Sequence, residues 1–250
     1  MNTHHITPDD VQVLENVLDD TPTPGVTRRA LLHRAAVGAA VASAAVAVPD
    51  AALAAGAGGQ VTTIIDTAVT AEALAVTYLT GLITHASKTG VTKLVPVLKA
   101  VNSSEYDHYK ALKSLGAKPV ATRFWVPDAF LEPGKVYPTI ETLETLFIDA
   151  YLIAVTEFTK AGKADYARYA GEIGGVEAQH LALARFAEKK LPDDRSFQGY
   201  SIKSIAGIVA ALEHAGIGLG KRGSKSPGKF YSFSPPPASA LATITHNTPM

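Results

Sequence analysis

Val176-Glu177-Ala178-Gln179-His180, together with the earlier Glu105-Tyr106-Asp107-His108, decides the fold. Each stretch sets a glutamate and a histidine three residues apart, which places them on one face of a helix. Each is preceded 33 residues upstream by another glutamate, Glu72 before Glu105 and Glu144 before Glu177. In an antiparallel helical hairpin, partners stand level when they are equally far from the turn. Glu72 lies 17 residues before Thr89 and Glu105 lies 16 after it; Glu144 lies 18 before Gly162 and Glu177 15 after it. The doubled spacing therefore reads as two hairpins with their carboxylates at nearly one height.

Outward from these residues, apolar positions step by alternating three and four, the period of a bundle seam. A first helix is predicted over 60–87, with inward stripe Ile65, Val69, Glu72, Val76, Leu79 and Ile83. A second covers 91–115, with Leu94, Leu98, Val101, Glu105, His108, Leu112 and Leu115 inward. A third covers 139–160, with Glu144, Ile148, Tyr151, Val155 and Phe158 inward. A fourth covers 164–190, with Tyr166, Ala170, Ile173, Glu177, His180, Ala184 and Ala187 inward. Gly90, Gly116 and Gly162 mark the stops of the first three. Residues 116–137 hold Pro119, Pro127, Pro133-Gly134 and the single tryptophan, Trp125, and read as a long crossover. The expected fold class is all-α, an antiparallel four-helix bundle with one long crossover.

Six titratable groups thus interrupt four apolar seams. A buried ionised carboxylate is costly unless it is paired or bound to metal. Two divalent cations explain all six together: four carboxylates offset four positive charges, and two imidazoles complete the shells. The expected metal ligands are Glu72, Glu105, His108, Glu144, Glu177 and His180. The chain has no cysteine, which excludes thiolate metal sites and thiol catalysis. A formal net charge of zero argues against a nucleic-acid partner. An apolar fraction of 47% suffices for a core.

Other residues invite plainer readings. Glu157 should stand about 15 Å from the level of Glu177, at ~1.5 Å of rise per residue, and reads as structural. Glu141 is read as a solvated residue at a helix start or as an extra carboxylate. Tyr78, Tyr106, Tyr109 and Tyr151 are read as core packing, with a hydrogen bond to a metal ligand or electron donation beside the site as the alternative. Gly174-Gly175 reads as a close helix approach, a bulge beside the metals, or a plain irregularity. His85 and His214 are read as surface residues.

Both ends differ from the bundle. Thr27-Arg28-Arg29-Ala30-Leu31-Leu32 opens a mildly apolar run to Val48, followed by Ala52-Leu53-Ala54. Residues 1–54 resemble a twin-arginine signal peptide, which implies export and no stable membrane insertion after cleavage. Residues 60–190 form the bundle. Residues 191–250 are expected to give a short fifth helix over Ser201–His214, with Ile202, Ile205, Val209 and Leu212 inward. An extended, flexible Pro/Gly/Ser-rich tail is expected from Gly216.

The doubled Glu-x32-Glu-x-x-His pattern resembles the ferritin-like superfamily, with spacing similar to that of rubrerythrins. Leu143-Glu144 through Ala150-Tyr151-Leu152, with Val176 through His180, is similar to the secreted ferritin-like domain family that includes desiccation-related proteins. The resemblance implies Glu72 and Glu144 as terminal ligands, Glu105 and Glu177 as bridging ligands, and His108 and His180 as one imidazole for each metal. It also implies two iron or manganese ions, with dioxygen or hydrogen peroxide as reaction partner, and is compatible with a homo-oligomer. Two readings follow. One is an exported dinuclear ferroxidase or peroxide-handling oxidoreductase serving oxidative or desiccation stress. The other is a non-catalytic envelope or stress protein that keeps the fold.

Overall fold

The computed structural model describes residues 57–246. The segment read as an export signal, residues 1–54, lies outside them. Helix α1 (Ala57–Thr84) is followed by a single turn, α2 (Ala86–Thr89), and then by α3 (Val95–Ser114). The crossover carries strand β1 (Arg123–Pro127) and leads to α4 (Val136–Lys160) and α5 (Ala164–Ala187). Helix α6 (Ile205–Ala215) and strands β2 (Gly218–Leu219) and β3 (Gly228–Ser232) complete the described chain.

Helix α1 packs on α3 and α4 packs on α5, giving the two expected hairpins. The α4–α5 turn is tight because Gly162 takes a left-handed φ of 68°. That conformation lets Lys163 N–H reach the carbonyl of Phe158 at 2.8 Å, which closes the helix end. Both prolines near helix starts, Pro96 and Pro138, fall in a first turn, where no backbone hydrogen bond is lost.

Two apolar clusters fill the bundle. One holds Val61, Ile64, Ile65, Val69, Leu112, Tyr151, Phe158 and Ile173. The other holds Leu74, Leu79, Leu98, Val101, Ile140, Leu143, Phe147 and Ala184. The first gathers the start of α1, the end of α3 and the α4–α5 turn; the second gathers the opposite ends of all four helices. The crossover must therefore travel the length of the bundle, as its length predicts. Side chains such as Phe147, Leu74 and Val69, at 2% exposure or less, each stabilise the fold by about 1.5–3 kcal/mol. Helix α1 is long and apolar enough to cross a bilayer, but 56% of that window is buried within the protein, and core packing accounts for its composition.

The chain after Gly216 is extended, as expected, but ordered in strands where a flexible tail was also expected. Strands β2 and β3 flank β1 in an antiparallel sheet of order β2-β1-β3. Trp125 faces Phe230 across the β1–β3 register and donates its indole N–H to the Lys225 carbonyl at 2.9 Å. Beyond β3, the chain runs along α3. Buried Asn102 donates to the carbonyl of Ala240 at 3.0 Å, and Ser103 Oγ donates to that of Ala242 at 2.9 Å. Proline and glycine here shape strands that pin the crossover to the bundle, because a β-ladder leaves its polar backbone groups paired.

Helix α6 begins at Ser204, whose side chain accepts the Gly207 N–H at 3.1 Å. Its most buried residues are Ile208 and Leu212, so its inner face is turned from the expected one, which omitted Ile208. The segment before it is anchored by Asp149, which is 1% exposed. Asp149 accepts bonds from Ser201 Oγ at 2.7 Å and Ile202 N–H at 3.0 Å.

Candidate metal centre

The structure brings all six expected ligand residues to one level between the two apolar clusters. Glu72 comes from α1, Glu105 and His108 from α3, Glu144 from α4, and Glu177 and His180 from α5. Glu72, Glu105 and Glu177 are fully buried, and Glu144 and His180 are each 4% exposed. His108 keeps 12% of its side chain exposed while its Nδ1 is buried.

The donor atoms fall into two groups, each with all its atoms within 4.8 Å of one another. One group is Glu72, Glu105, His108 and Glu177; the other is Glu105, Glu144, Glu177 and His180. Glu105 and Glu177 belong to both. His108 Nδ1 lies 3.2 Å from Glu177 Oε1, 3.4 Å from Glu105 Oε2 and 3.7 Å from Glu72 Oε2. His180 Nδ1 lies 2.9 Å from Glu105 Oε1 and 3.3 Å from Glu177 Oε2.

Apart from the contact of His180 Nδ1 with Glu177 Oε2, these atoms face one another without completing hydrogen bonds. Glu72 Oε2, both oxygens of Glu105, Glu144 Oε2, Glu177 Oε1 and His108 Nδ1 are all buried and lack a hydrogen-bond partner. A buried polar atom without a partner costs ~1–3 kcal/mol, more when charged. One site concentrating six of them is a set of lone pairs aimed at a shared centre, which is how a cation is held. Carboxylate oxygens with imidazole nitrogen suit iron or manganese.

The electrostatics divide the carboxylates into two kinds. Burial, reinforced by the charges of Glu177 and Glu105, holds Glu72 and Glu144 well above the usual carboxylate range. Burial also pushes Glu105 and Glu177 upward, but the two histidines outweigh it and hold both below that range. Burial alone would lower the histidines, yet the surrounding carboxylates raise His108 well above its ordinary value and push His180 up to about 9. Without metal, these shifts favour protonated Glu72 and Glu144, ionised Glu105 and Glu177, and charged imidazoles.

Of the four tyrosines read first as core, one takes the alternative role of bonding a ligand. The Tyr151 hydroxyl donates to Glu72 Oε1, and burial above all raises its pKa well above the ordinary tyrosine value. Tyr78 instead donates to the carbonyl of Phe130 at 2.6 Å, away from the centre. Tyr106 and Tyr109 stack on each other at 6.2 Å, and Tyr109 also packs on Phe233 at 4.5 Å. Gly174 answers to close approach: a Cβ there would stand 3.2 Å from the Cβ of Tyr151. Glu141 pairs with Arg185 at 2.7 Å and with Lys190, so it is structural and no extra ligand. Glu157 binds Gln60 and Lys160, both at 2.8 Å, and His85 and His214 are exposed, as expected.

A family model described as a ferritin-like domain matches residues 62–190. No curated protein matches the chain, and no solved structure matches it.

Proposed function

Because the chain belongs to the ferritin-like domain family, we propose that it holds a dinuclear iron or manganese centre and reacts with dioxygen or hydrogen peroxide. The observation that carries this reading is the pair of overlapping donor groups sharing Glu105 and Glu177. Shared carboxylates are what two neighbouring cations require, and each group adds one terminal glutamate and one imidazole. Glu72 and His108 would serve one position, and Glu144 and His180 the other.

What the bound pair supplies is redox chemistry between divalent and trivalent states as the oxidant is reduced. The protein supplies the rest. Its apolar clusters keep bulk water from both ends of the site. His108, the one ligand residue with appreciable exposure, marks the side nearest solvent. Tyr151 fixes one oxygen of Glu72, leaving the other turned toward the donor group.

Arg28-Arg29 and the small-residue run to Ala54 support export by the twin-arginine route, which carries folded proteins. In that setting the protein would serve oxidative or desiccation stress at the envelope. Metal analysis of the purified chain, followed by anaerobic ferrous addition and exposure to oxygen, tests the reading. About two metals per chain and oxygen-dependent oxidation are expected. Retention of metal in the Glu105→Ala, Glu177→Ala double variant would overturn it.

A further inference from the structure

We propose that a cleft between α1 and the C-terminal sheet, lined by none of the six expected metal ligands, binds a small organic oxyanion: a phosphate or carboxylate head on an apolar body. The cleft encloses ≈ 250 Å³. Its helical wall is Thr77, Tyr78, Gly81, His85, Lys88 and Thr89; its other wall is Val126, Leu131, Lys229 and Tyr231. Lys229 and Tyr231 reach it because β3 pairs beside β1, so the cleft needs this chain's C-terminal sheet as well as the helix.

Three features point to the ligand. First, the ionisable lining is basic or phenolic: Lys88 and His85 come from the helical wall, Lys229 from the sheet wall, and no carboxylate lines the space. Neither Lys88 nor Lys229 makes an ion pair among the described residues, whereas Lys110, Lys160, Lys190 and Lys221 all do. Two lysines without ion pairs that line one space from different elements offer it positive charge, and lysine is a flexible point-charge ligand for phosphate.

Second, the remaining surface is apolar and aromatic. Val126, Leu131 and the ring of Tyr231 give a ligand's carbon body a wall, while the hydroxyl of Tyr231 and Thr89 add hydrogen-bonding groups. A bare inorganic ion would leave that wall unused. Mixed lining of this kind, mostly apolar with a few convergent polar groups, is the usual make-up of small-molecule sites.

Third, Gly81 stands inside α1, where glycine weakens a helix. A Cβ at Gly81 would meet nothing within 4 Å. No close helix approach requires this glycine, in contrast to Gly174. What its missing side chain does is keep the floor of the cleft open.

The test is calorimetric titration of the full chain with phenyl phosphate, with inorganic phosphate and benzyl alcohol as comparison arms. Phenyl phosphate should bind with a Kd below ~1 mM, and each comparison ligand, lacking one half of the recognition, at least ~tenfold more weakly. Lys88→Ala with Lys229→Ala should weaken binding by ~tenfold or more with the melting temperature unchanged, since both side chains are exposed. Gly81→Leu should block the cleft without lowering the melting temperature, because leucine is the better helix former. No heat from phenyl phosphate at several times ~1 mM would overturn the proposal. So would binding that survives both the double lysine variant and Gly81→Leu. Inorganic phosphate binding as tightly as phenyl phosphate would overturn it as well, since the apolar wall would then contribute nothing.

Discussion

The hydroxyl of Tyr151 on α4 donates to Oε1 of Glu72 on α1, joining two helices from different hairpins at the height of the carboxylate cage. Glu72 Oε2 has no partner of its own, so Tyr151→Phe would strip the carboxyl of its one tyrosine bond in a fully buried position. The metal-free variant should lose ~1–3 kcal/mol. Thermal melts would show this as a drop of about 2–4 °C for each kcal/mol in a domain of this size. Unchanged melts would mean that the bond contributes nothing to holding the hairpins together.

The division of the carboxylates predicts unequal responses to glutamine. Burial favours the protonated form of Glu72 and Glu144 in the metal-free protein, and glutamine imitates a neutral carboxyl. Glu105 and Glu177 are ionised beside two imidazolium rings, and removing their charge leaves those rings uncompensated. Glu72→Gln and Glu144→Gln should therefore each shift metal-free stability by less than ~1 kcal/mol. Glu105→Gln and Glu177→Gln should each cost about 3–5 kcal/mol, as for a broken buried ion pair. All four should impair metal retention, measured by equilibrium dialysis against manganese. Equal denaturation midpoints across the four would refute the division.

Acidity should act in opposite senses with and without metal. His180 rises from an ordinary value of 6.5 to about 9, so its charged form stabilises the metal-free fold fully below about 6.5. That contribution is lost as pH rises towards 9. The raised Glu72 and Glu144 work in the same direction, since burial makes each hold its proton more tightly when folded than when unfolded. Metal binding must displace these same protons, so affinity should climb as pH rises. Across pH 6.5 to 9 the metal-free protein should thus lose stability while manganese adds progressively more. Melting curves at several pH values, with and without manganese, check both slopes; parallel slopes would contradict the cage.

The bundle and its six donors were legible because a charged residue in an apolar seam breaks a pattern that physics otherwise enforces. Glu105 and His108 stand out for that reason, and the matched hairpin heights tie them to Glu72. Sequence could not single out Tyr151 from Tyr78, Tyr106 and Tyr109 as the one that bonds a ligand, since an aromatic ring suits a seam position whether or not its hydroxyl meets a carboxylate. Strand β3 was hidden for a different reason. Gly228 to Ser232 pair with Pro127 to Arg123, about a hundred residues away, and only the folded chain brings them together. The local composition around Pro235-Pro236-Pro237 reads as open chain, because nothing nearby in the sequence announces a distant partner. Lys88 and Lys229 escaped notice as neighbours on the same ground.

Gly174 and Gly175 look alike in sequence and should behave differently when given a side chain. A Cβ at Gly175 would meet nothing within 4 Å. Gly175→Ala should therefore show the ordinary helix gain of about 0.5–1 kcal/mol. At Gly174 the new methyl would press on Tyr151 at 3.2 Å from its Cβ, closer than comfortable contact. Tyr151 cannot yield freely, because its hydroxyl is committed to Glu72 and its ring is packed among Val69, Ile173 and Phe158. Gly174→Ala should accordingly forfeit the helix gain and end neutral or destabilised by up to ~1–3 kcal/mol, as in overpacked cores. Paired with Tyr151→Phe, most of that loss should disappear, since the ring is then free to shift away from α5. A double-mutant cycle on chemical denaturation measures this coupling. If the two substitutions add without interaction, then Gly174 does not act through Tyr151, and the close packing of α4 on α5 has no part in holding Glu72 in place.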